Sequence, residues 1–158
     1  IRKSVTVLWQ SGHLIGLILI LRELNLQENK NMRIVIDAYG GDNAPLEIVK
    51  GASLASIEYG CEITLTGNET EINSIISEHN LSFKGELKIV NTDDVISMHD
   101  DPTSLLKAHS ESSMALAFKE LAGGNADAFV SAGSTGALVV GGTLMVKRIK
   151  GIKFKNKS

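Results

Sequence analysis

Short apolar segments alternate with helical periodicity along most of the chain, from residue 32 to about residue 149. Compact apolar runs typical of buried strands occur at 33–37, 62–66, 86–91 and 127–131. After each run the apolar side chains repeat at helical spacing, which predicts helices over 46–59, from the Asn68 cap through Ile76, over 110–121 and over 134–149. Strands that alternate with helices over short connections predict a three-layer α/β/α domain with a mostly parallel sheet.

The two ends of the chain depart from this pattern. Within residues 1–31 the longest uninterrupted apolar run, 17–21, is far shorter than the ~20 residues of a membrane span. Met32 stands directly before the first strand, so we expect residues 1–31 to be an upstream extension. Residues 153–158 hold three lysines and no acidic residue, and we expect them to be a basic tail after truncation of a longer protein. The predicted domain is therefore 32–152, and we expect it to be incomplete.

Composition narrows the class of protein. Hydrophobic residues make up 43% and charged residues 22%, which is typical of a globular domain. A net charge of -2 excludes a polycation for nucleic acid, so no nucleic-acid partner is expected. The single Cys61 cannot form an internal disulfide, and we expect it to be buried and inert. The four histidines lack metal-ligand spacing, so no metal is predicted.

Candidate chemistry lies in two loops, because ligands of parallel α/β sheets bind at the carboxyl ends of the strands. The first loop begins at Asp37 and reads Asp-Ala-Tyr-Gly-Gly-Asp-Asn-Ala-Pro. Gly40 and Gly41 allow a tight turn and let main-chain N–H groups approach a ligand, while Asp37 can hold the loop in shape. The alternative is an ordinary turn in which Asp42 or Asn43 caps the next helix.

The second loop joins the fourth strand to the last helix and reads Ser-Ala-Gly-Ser-Thr-Gly-Ala from Ser131. Gly133 and Gly136 have no side chain, so a ligand could approach the main chain there. Ser131, Ser134 and Thr135 add hydroxyl groups. With the free N–H groups of a helix start, they suit a phosphate or an oxyanion. The alternative, which the motif supports equally, is helix capping by Ser134 and close packing of small residues. Walker spacing is absent, and no acid or histidine follows residue 127 to complete a hydrolase triad.

Several motifs, taken in order, resemble one family. The segment Ile36-Asp-Ala-Tyr-Gly-Gly-Asp-Asn-Ala-Pro resembles the amino-terminal signature of PlsX-type phosphate acyltransferases, which usually have methionine where Tyr39 stands. Four further segments are similar to that family in the same order: Ile96-Ser-Met-His-Asp-Asp-Pro, Ser112-Ser-Met, Ala126-Asp-Ala and Val130-Ser-Ala-Gly-Ser-Thr-Gly-Ala-Leu. The resemblance covers about residues 32–152.

This resemblance implies a fold similar to phosphotransacetylases and a transfer of acyl groups from acyl-[acyl carrier protein] to inorganic phosphate in bacterial phospholipid synthesis. It implies a cytoplasmic homodimer with peripheral membrane association and no cofactor. The residues that would hold phosphate or the reaction's oxyanion are Ser131, Gly133, Ser134, Thr135 and Gly136, with Gly40 and Gly41 on the opposite wall. The residues that would orient the first loop are Asp37, Asp42 and Asn43.

The chain also departs from the family pattern. An Arg-x-Lys-Lys run usually follows Pro102 in the family, and here the positions hold Lys107, Ala108, His109 and Ser110. Lys107 and His109 are therefore the remaining candidates for contact with an anion. Because the family's second half is absent, two alternatives stay open. One is an inactive truncated fragment of that enzyme, and the other is a phosphate- or nucleotide-binding α/β module.

Overall fold

The computed structural model describes residues 4–7 and 32–147. The strands are β1 Ser4–Val7, β2 Arg33–Asp37, β3 Glu62–Gly67, β4 Leu87–Asn91 and β5 Ala128–Ser131. The helices are α1 Leu46–Tyr59, α2 Glu69–Glu78, α3 Ser113–Gly123 and α4 Thr135–Gly141, with a 3-10 turn at Pro102–Leu106 and a π turn at Gly142–Val146. All the strands pair in parallel, in the order β1-β5-β2-β3-β4.

Helices cover both faces of this sheet, because alternate side chains of a strand point to opposite sides. Ile34 and Ile36 of β2 pack with the apolar side chains of α1 and α2. Val35 of the same strand joins Phe129 and the apolar side chains of α3 and α4 on the other face. The rings of Phe118 and Phe129 meet edge to face with their centroids 4.7 Å apart. The three-layer α/β/α fold predicted from the sequence is therefore confirmed.

The order of the strands creates a switch point between β2 and β5. From β2 the chain proceeds through α1 and α2 to β4 at one edge of the sheet, and α3 then returns across the opposite face to β5 beside β2. The loops that follow β2 and β5 consequently leave neighbouring strands toward opposite helical layers. In sheets of this kind the crevice between two such loops is the usual ligand site.

Local caps explain where the helices begin. The Asn68 side chain accepts the N–H of Glu71 at 2.9 Å, which confirms the predicted cap of α2. Ser113 begins α3 later than the predicted residue 110, because the Ser112 side chain accepts the N–H of Ala115. The last helix is shorter than predicted, since α4 ends at Gly141 and continues only as a π turn.

The structure contains one strand that the sequence pattern did not predict. β1 lies within the segment expected to be an upstream extension, and it pairs with the outer edge of β5. Residues 8–31 and 148–158, including the predicted tail 153–158, lie outside the described residues, so the domain boundaries remain predictions. Within the described ranges, no helix has the length and apolar character needed to cross a membrane.

Candidate functional site

The first and second loops touch at two glycines. A Cβ added to Gly40 would lie 2.6 Å from Ser131 Oγ and 2.9 Å from the Gly133 nitrogen, closer than real Cβ atoms approach. A Cβ added to Gly133 would in turn lie 3.4 Å from Gly40 Cα. Gly41 has a φ of 121°, and its Cβ position lies 3.3 Å from Ala132 Cβ. Two loops that are 94 residues apart in sequence, as measured from Asp37 to Ser131, therefore contact each other at the switch point.

A buried carboxylate holds this contact together. The Asp37 side chain, 2% exposed, accepts a hydrogen bond from Ser131 Oγ at 2.9 Å and one from the Tyr39 N–H at 3.2 Å. The Ser113 hydroxyl at the start of α3 is a third partner. Burial raises the pKa of Asp37, and the hydrogen bonds from Ser113, Ser131 and Tyr39 oppose that rise. Asp37 thus joins the ends of β2 and β5 to α3.

Ser131, which the sequence predicts to contact phosphate, belongs to this internal network. It is 1% exposed, and its hydroxyl donates to Asp37 while it accepts the Gly133 N–H at 3.0 Å. Both the hydroxyl hydrogen and the Gly133 N–H are used inside the protein. Ser131 therefore lies behind the loops and fixes the path of the second loop instead of facing a ligand.

Two other residues of the second loop have structural tasks. Ser134 caps α4, because its side chain accepts the N–H of Ala137 at 3.4 Å. Gly136 packs against the 3-10 turn, where an added Cβ would lie 2.7 Å from Pro102 Cγ. The capping and packing reading of this motif is thus observed for both residues. Thr135 is exposed at the rim and keeps its side chain available.

Main-chain donors remain at the rim of both loops. Within residues 32–147, no hydrogen-bond acceptor lies within reach of five N–H groups: those of Gly41, Asp42, Ser134, Thr135 and Gly136. A polar backbone group needs a partner, so N–H groups without an acceptor in the described ranges are open to a partner from outside them, such as water or a ligand. N–H groups that gather at one place without an internal acceptor favour an anion.

The expected role of Asp42 and Asn43 is not what the contacts show. Both residues are exposed, and α1 begins after Pro45 without a side-chain cap. The Asn43 main-chain oxygen accepts the Glu47 N–H at 3.2 Å, but neither side chain has a recorded hydrogen bond within the described part of the chain. Of the three residues predicted to orient the first loop, only Asp37 does so through its side chain.

A polar segment, residues 92–112, connects β4 to α3 and packs beside the second loop through Pro102. His109 Nδ1 lies 2.8 Å from Asp94 Oδ1, and its Nε2 lies 3.8 Å from Asp100 Oδ2. His109 therefore ties the polar segment together between carboxylates, and its contact with an anion stays a prediction. Lys107 is exposed. No cluster of three or more His, Cys, Asp or Glu side chains in the described ranges is placed to hold a metal ion.

Sequence reasoning missed three residues around the site. Ser113 bonds Asp37, and the methyl group of Met114 lies 2.8 Å from the Cβ position of Gly133. Tyr39 covers Gly67 with its ring and hydrogen-bonds Glu71 through its hydroxyl. Burial and the Glu71 bond raise the pKa of Tyr39. The Ser112-Ser-Met motif marked the first two positions without revealing their contacts.

Sequence comparison defines the class of protein that carries this fold and site. The family model described as "Fatty acid synthesis protein" matches residues 32–156, and the chain belongs to that family. It is 43% identical over 126 residues to a phosphate acyltransferase from Oenococcus oeni, which aligns with 79% of this chain and 35% of the relative. It is 46% identical over 122 residues to a phosphate acyltransferase from Listeria innocua, with 77% and 35% covered.

These figures confirm the resemblance found in the sequence, and they also show its extent. The chain spans about a third of the length of the curated relatives that it matches. A solved phosphotransacetylase from Streptococcus pyogenes is similar in structure, with a TM-score of 0.56 and 19% identity over 85% of this chain and 45% of that one. At this identity the likeness concerns the fold alone, and it agrees with the predicted similarity to phosphotransacetylases.

Proposed function

We propose that this chain provides the phosphate site of a phosphate acyltransferase, which transfers an acyl group from acyl-[acyl carrier protein] to inorganic phosphate. The observation that carries the proposal is the contact of Gly40 with Gly133 between the tips of β2 and β5. This contact brings together glycine main chain and, within residues 32–147, N–H groups without an acceptor from two loops. The family membership supplies the reaction class, since the relatives are named phosphate acyltransferases.

The chemistry suits a site made of backbone donors. A phosphate oxygen attacks the thioester carbonyl carbon, a C–O bond forms, and the C–S bond breaks to release the thiol of the carrier protein after protonation. The step needs an oriented anion and donors for the oxyanion of the tetrahedral intermediate, and it needs no covalent nucleophile of the enzyme. The N–H groups at Gly41, Asp42 and residues 134–136 are the donors that we assign to these tasks.

The proposal includes the setting in which the family works. Acyl carrier protein is the protein partner, and the assembly is a cytoplasmic homodimer with peripheral membrane association. These features rest on the family resemblance. The alternative is a phosphate-binding fragment of that enzyme that does not transfer the acyl group, and the observation that favours it is that the chain spans about a third of its relatives.

One assay separates the two candidates. The full chain is incubated with a long-chain acyl-[acyl carrier protein] and inorganic phosphate, and acyl phosphate is trapped with hydroxylamine as the hydroxamate. Phosphate-dependent hydroxamate supports the acyltransferase. Phosphate binding without hydroxamate supports the binding fragment. A chain that neither binds phosphate nor forms hydroxamate contradicts both candidates. Thr143→Ala in the exposed π turn is the matched control for Thr135→Ala at the rim, which we expect to weaken phosphate binding.

A further inference from the structure

We propose that anion binding between the two loops is coupled to the uptake of one proton by Asp37. This inference deepens the proposed function and rests on it, because it requires that an anion binds at this site. Asp37 acts here as a positioning residue whose charge state sets the affinity of the site. The proton comes from solvent and is held on the Asp37 carboxyl group while the anion is bound.

The carboxyl group lies directly beneath the contact of the loops. The Cβ position of Gly40 is 2.8 Å from Asp37 Oδ2 and 2.9 Å from the Gly133 nitrogen, so all three lie within one small space. The hydrogen-bond chain from the Gly133 N–H through Ser131 to Asp37 connects the same carboxyl group to the second loop. An anion that binds the rim N–H groups therefore approaches a carboxylate that is shielded from water.

No cation balances this carboxylate among the described residues. β3 faces it with Thr66, β5 with Ser131 and α3 with Ser113, none of which carries a charge at neutral pH. The titratable groups nearby on its own loop are Tyr39 and Asp42, and neither is a cation.

The polar segment adds a further pair of titratable groups next to α3. The Asp94 main-chain oxygen accepts the Ser113 N–H at 2.9 Å, and the Asp94 side chain holds His109. His109 is thus matched by a carboxylate of its own, so it is not a free counter-ion for Asp37. Among the described residues, no cation therefore faces the carboxyl group beneath the loops.

The coupling follows from electrostatics and linkage. Burial already raises the pKa of Asp37 and favours its neutral form. A bound anion repels the ionised carboxylate and favours the neutral form further. By linkage, the anion must bind more tightly to the protein whose Asp37 is protonated. The dissociation constant therefore rises with pH, by at most about tenfold per pH unit, between the pKa of Asp37 in the free chain and its pKa in the bound chain. Sulfate is the diagnostic probe, because it stays a dianion where phosphate itself titrates.

The experiment is calorimetry of the full chain with sulfate from about pH 5 to about pH 8.5, in pairs of buffers that differ in ionisation enthalpy. The proposal expects weaker binding as pH rises and an uptake approaching one proton per bound sulfate on the alkaline side. Asp37→Asn is expected to bind sulfate without this pH slope. Glu58→Gln removes one negative charge from the exposed surface of α1 and is expected to keep the slope. His109→Gln is also expected to keep it, because His109 faces Asp94.

A direct measurement on the unsubstituted chain does not depend on how Asp37→Asn folds. The ¹³C resonance of the Asp37 carboxyl group is titrated with and without saturating sulfate, and its midpoint should move to higher pH when sulfate is bound. The coupling is overturned if sulfate does not move the midpoint of the Asp37 titration. It is also overturned if the pH dependence of sulfate binding survives in Asp37→Asn and disappears in His109→Gln. Either result leaves the anion site itself intact. Sulfate and phosphate that bind at no pH would contradict the proposed function itself.

Discussion

Gly40→Ala is the substitution that tests the contact between the two loops most sharply. The added Cβ would meet Ser131 Oγ at 2.6 Å, Asp37 Oδ2 at 2.8 Å and the Gly133 nitrogen at 2.9 Å. The two side-chain atoms are held by buried hydrogen bonds and the third atom is main chain, so either the loops or this network must shift. Overpacking of this kind costs about 1–3 kcal/mol. Disruption of the buried Asp37 network adds about 1–3 kcal/mol, because it leaves polar groups without partners.

We therefore expect Gly40→Ala to lower the free energy of unfolding by about 2–6 kcal/mol, a large share of the roughly 5–15 kcal/mol of a typical domain. Urea denaturation followed by circular dichroism measures the change. Gly142→Ala is the control, since nothing lies within 4 Å of its Cβ position and its φ of -59° is helical. It should leave stability unchanged or raise it by roughly 0.5–1 kcal/mol. If Gly40→Ala costs less than about 0.5 kcal/mol, the loops are not packed as described.

Three further outcomes follow from other parts of the structure. Gly136→Ala should destabilise the chain by about 1–3 kcal/mol, since its Cβ would lie 2.7 Å from Pro102 Cγ, and an unchanged urea midpoint would contradict that packing. The hydrogen bond from Arg33 holds the pKa of Asp127 below its usual value. The ionised carboxylate therefore contributes stability above about pH 4, and this contribution is lost as the pH falls through the lowered pKa. Asp127→Asn should reduce this loss of stability at acid pH, as measured by urea unfolding. A loss of unchanged size in Asp127→Asn would rule out the ion pair as its source. Cys61 is 1% exposed, and burial raises the pKa of its thiol. A thiol reagent at about pH 8 should therefore react with Cys61 only when the chain unfolds. Rapid reaction of the folded chain would show instead that the thiol is accessible.

Local patterns were enough to predict most of the fold. The bounds of β2 and α1 agree with the sequence prediction, because a compact apolar run and a helical repeat each depend on neighbouring residues. The Asn68 cap is also local, since it spans three residues. The edge strand β1 was missed because its only described pairing is with β5, far along the chain. Its apolar residues alone did not distinguish a strand from an extension.

The sequence predicts a candidate site at the tips of β2 and β5, and the two loops do contact each other there. The contacts of the individual residues were not all predictable. Ser131 sits in a motif rich in hydroxyl groups, and only its bond to Asp37 shows that it faces inward. The sequence predicts that Gly136 lets the main chain approach a ligand, whereas in the structure Pro102 packs against it. Contacts between residues so distant in sequence depend on the packing of the whole domain, which no short motif contains.

The central claim is that rim N–H groups of the two loops bind one inorganic anion. An ¹⁵N-HSQC titration of the full chain with phosphate at constant ionic strength tests it most directly. We predict saturable shifts of the amide resonances of Gly41, Asp42 and residues 134–136, all fitting one dissociation constant, while the amides of α2 remain unmoved. Shifts that appear in only one loop, or that are spread over basic surface residues without saturation, would contradict the claim.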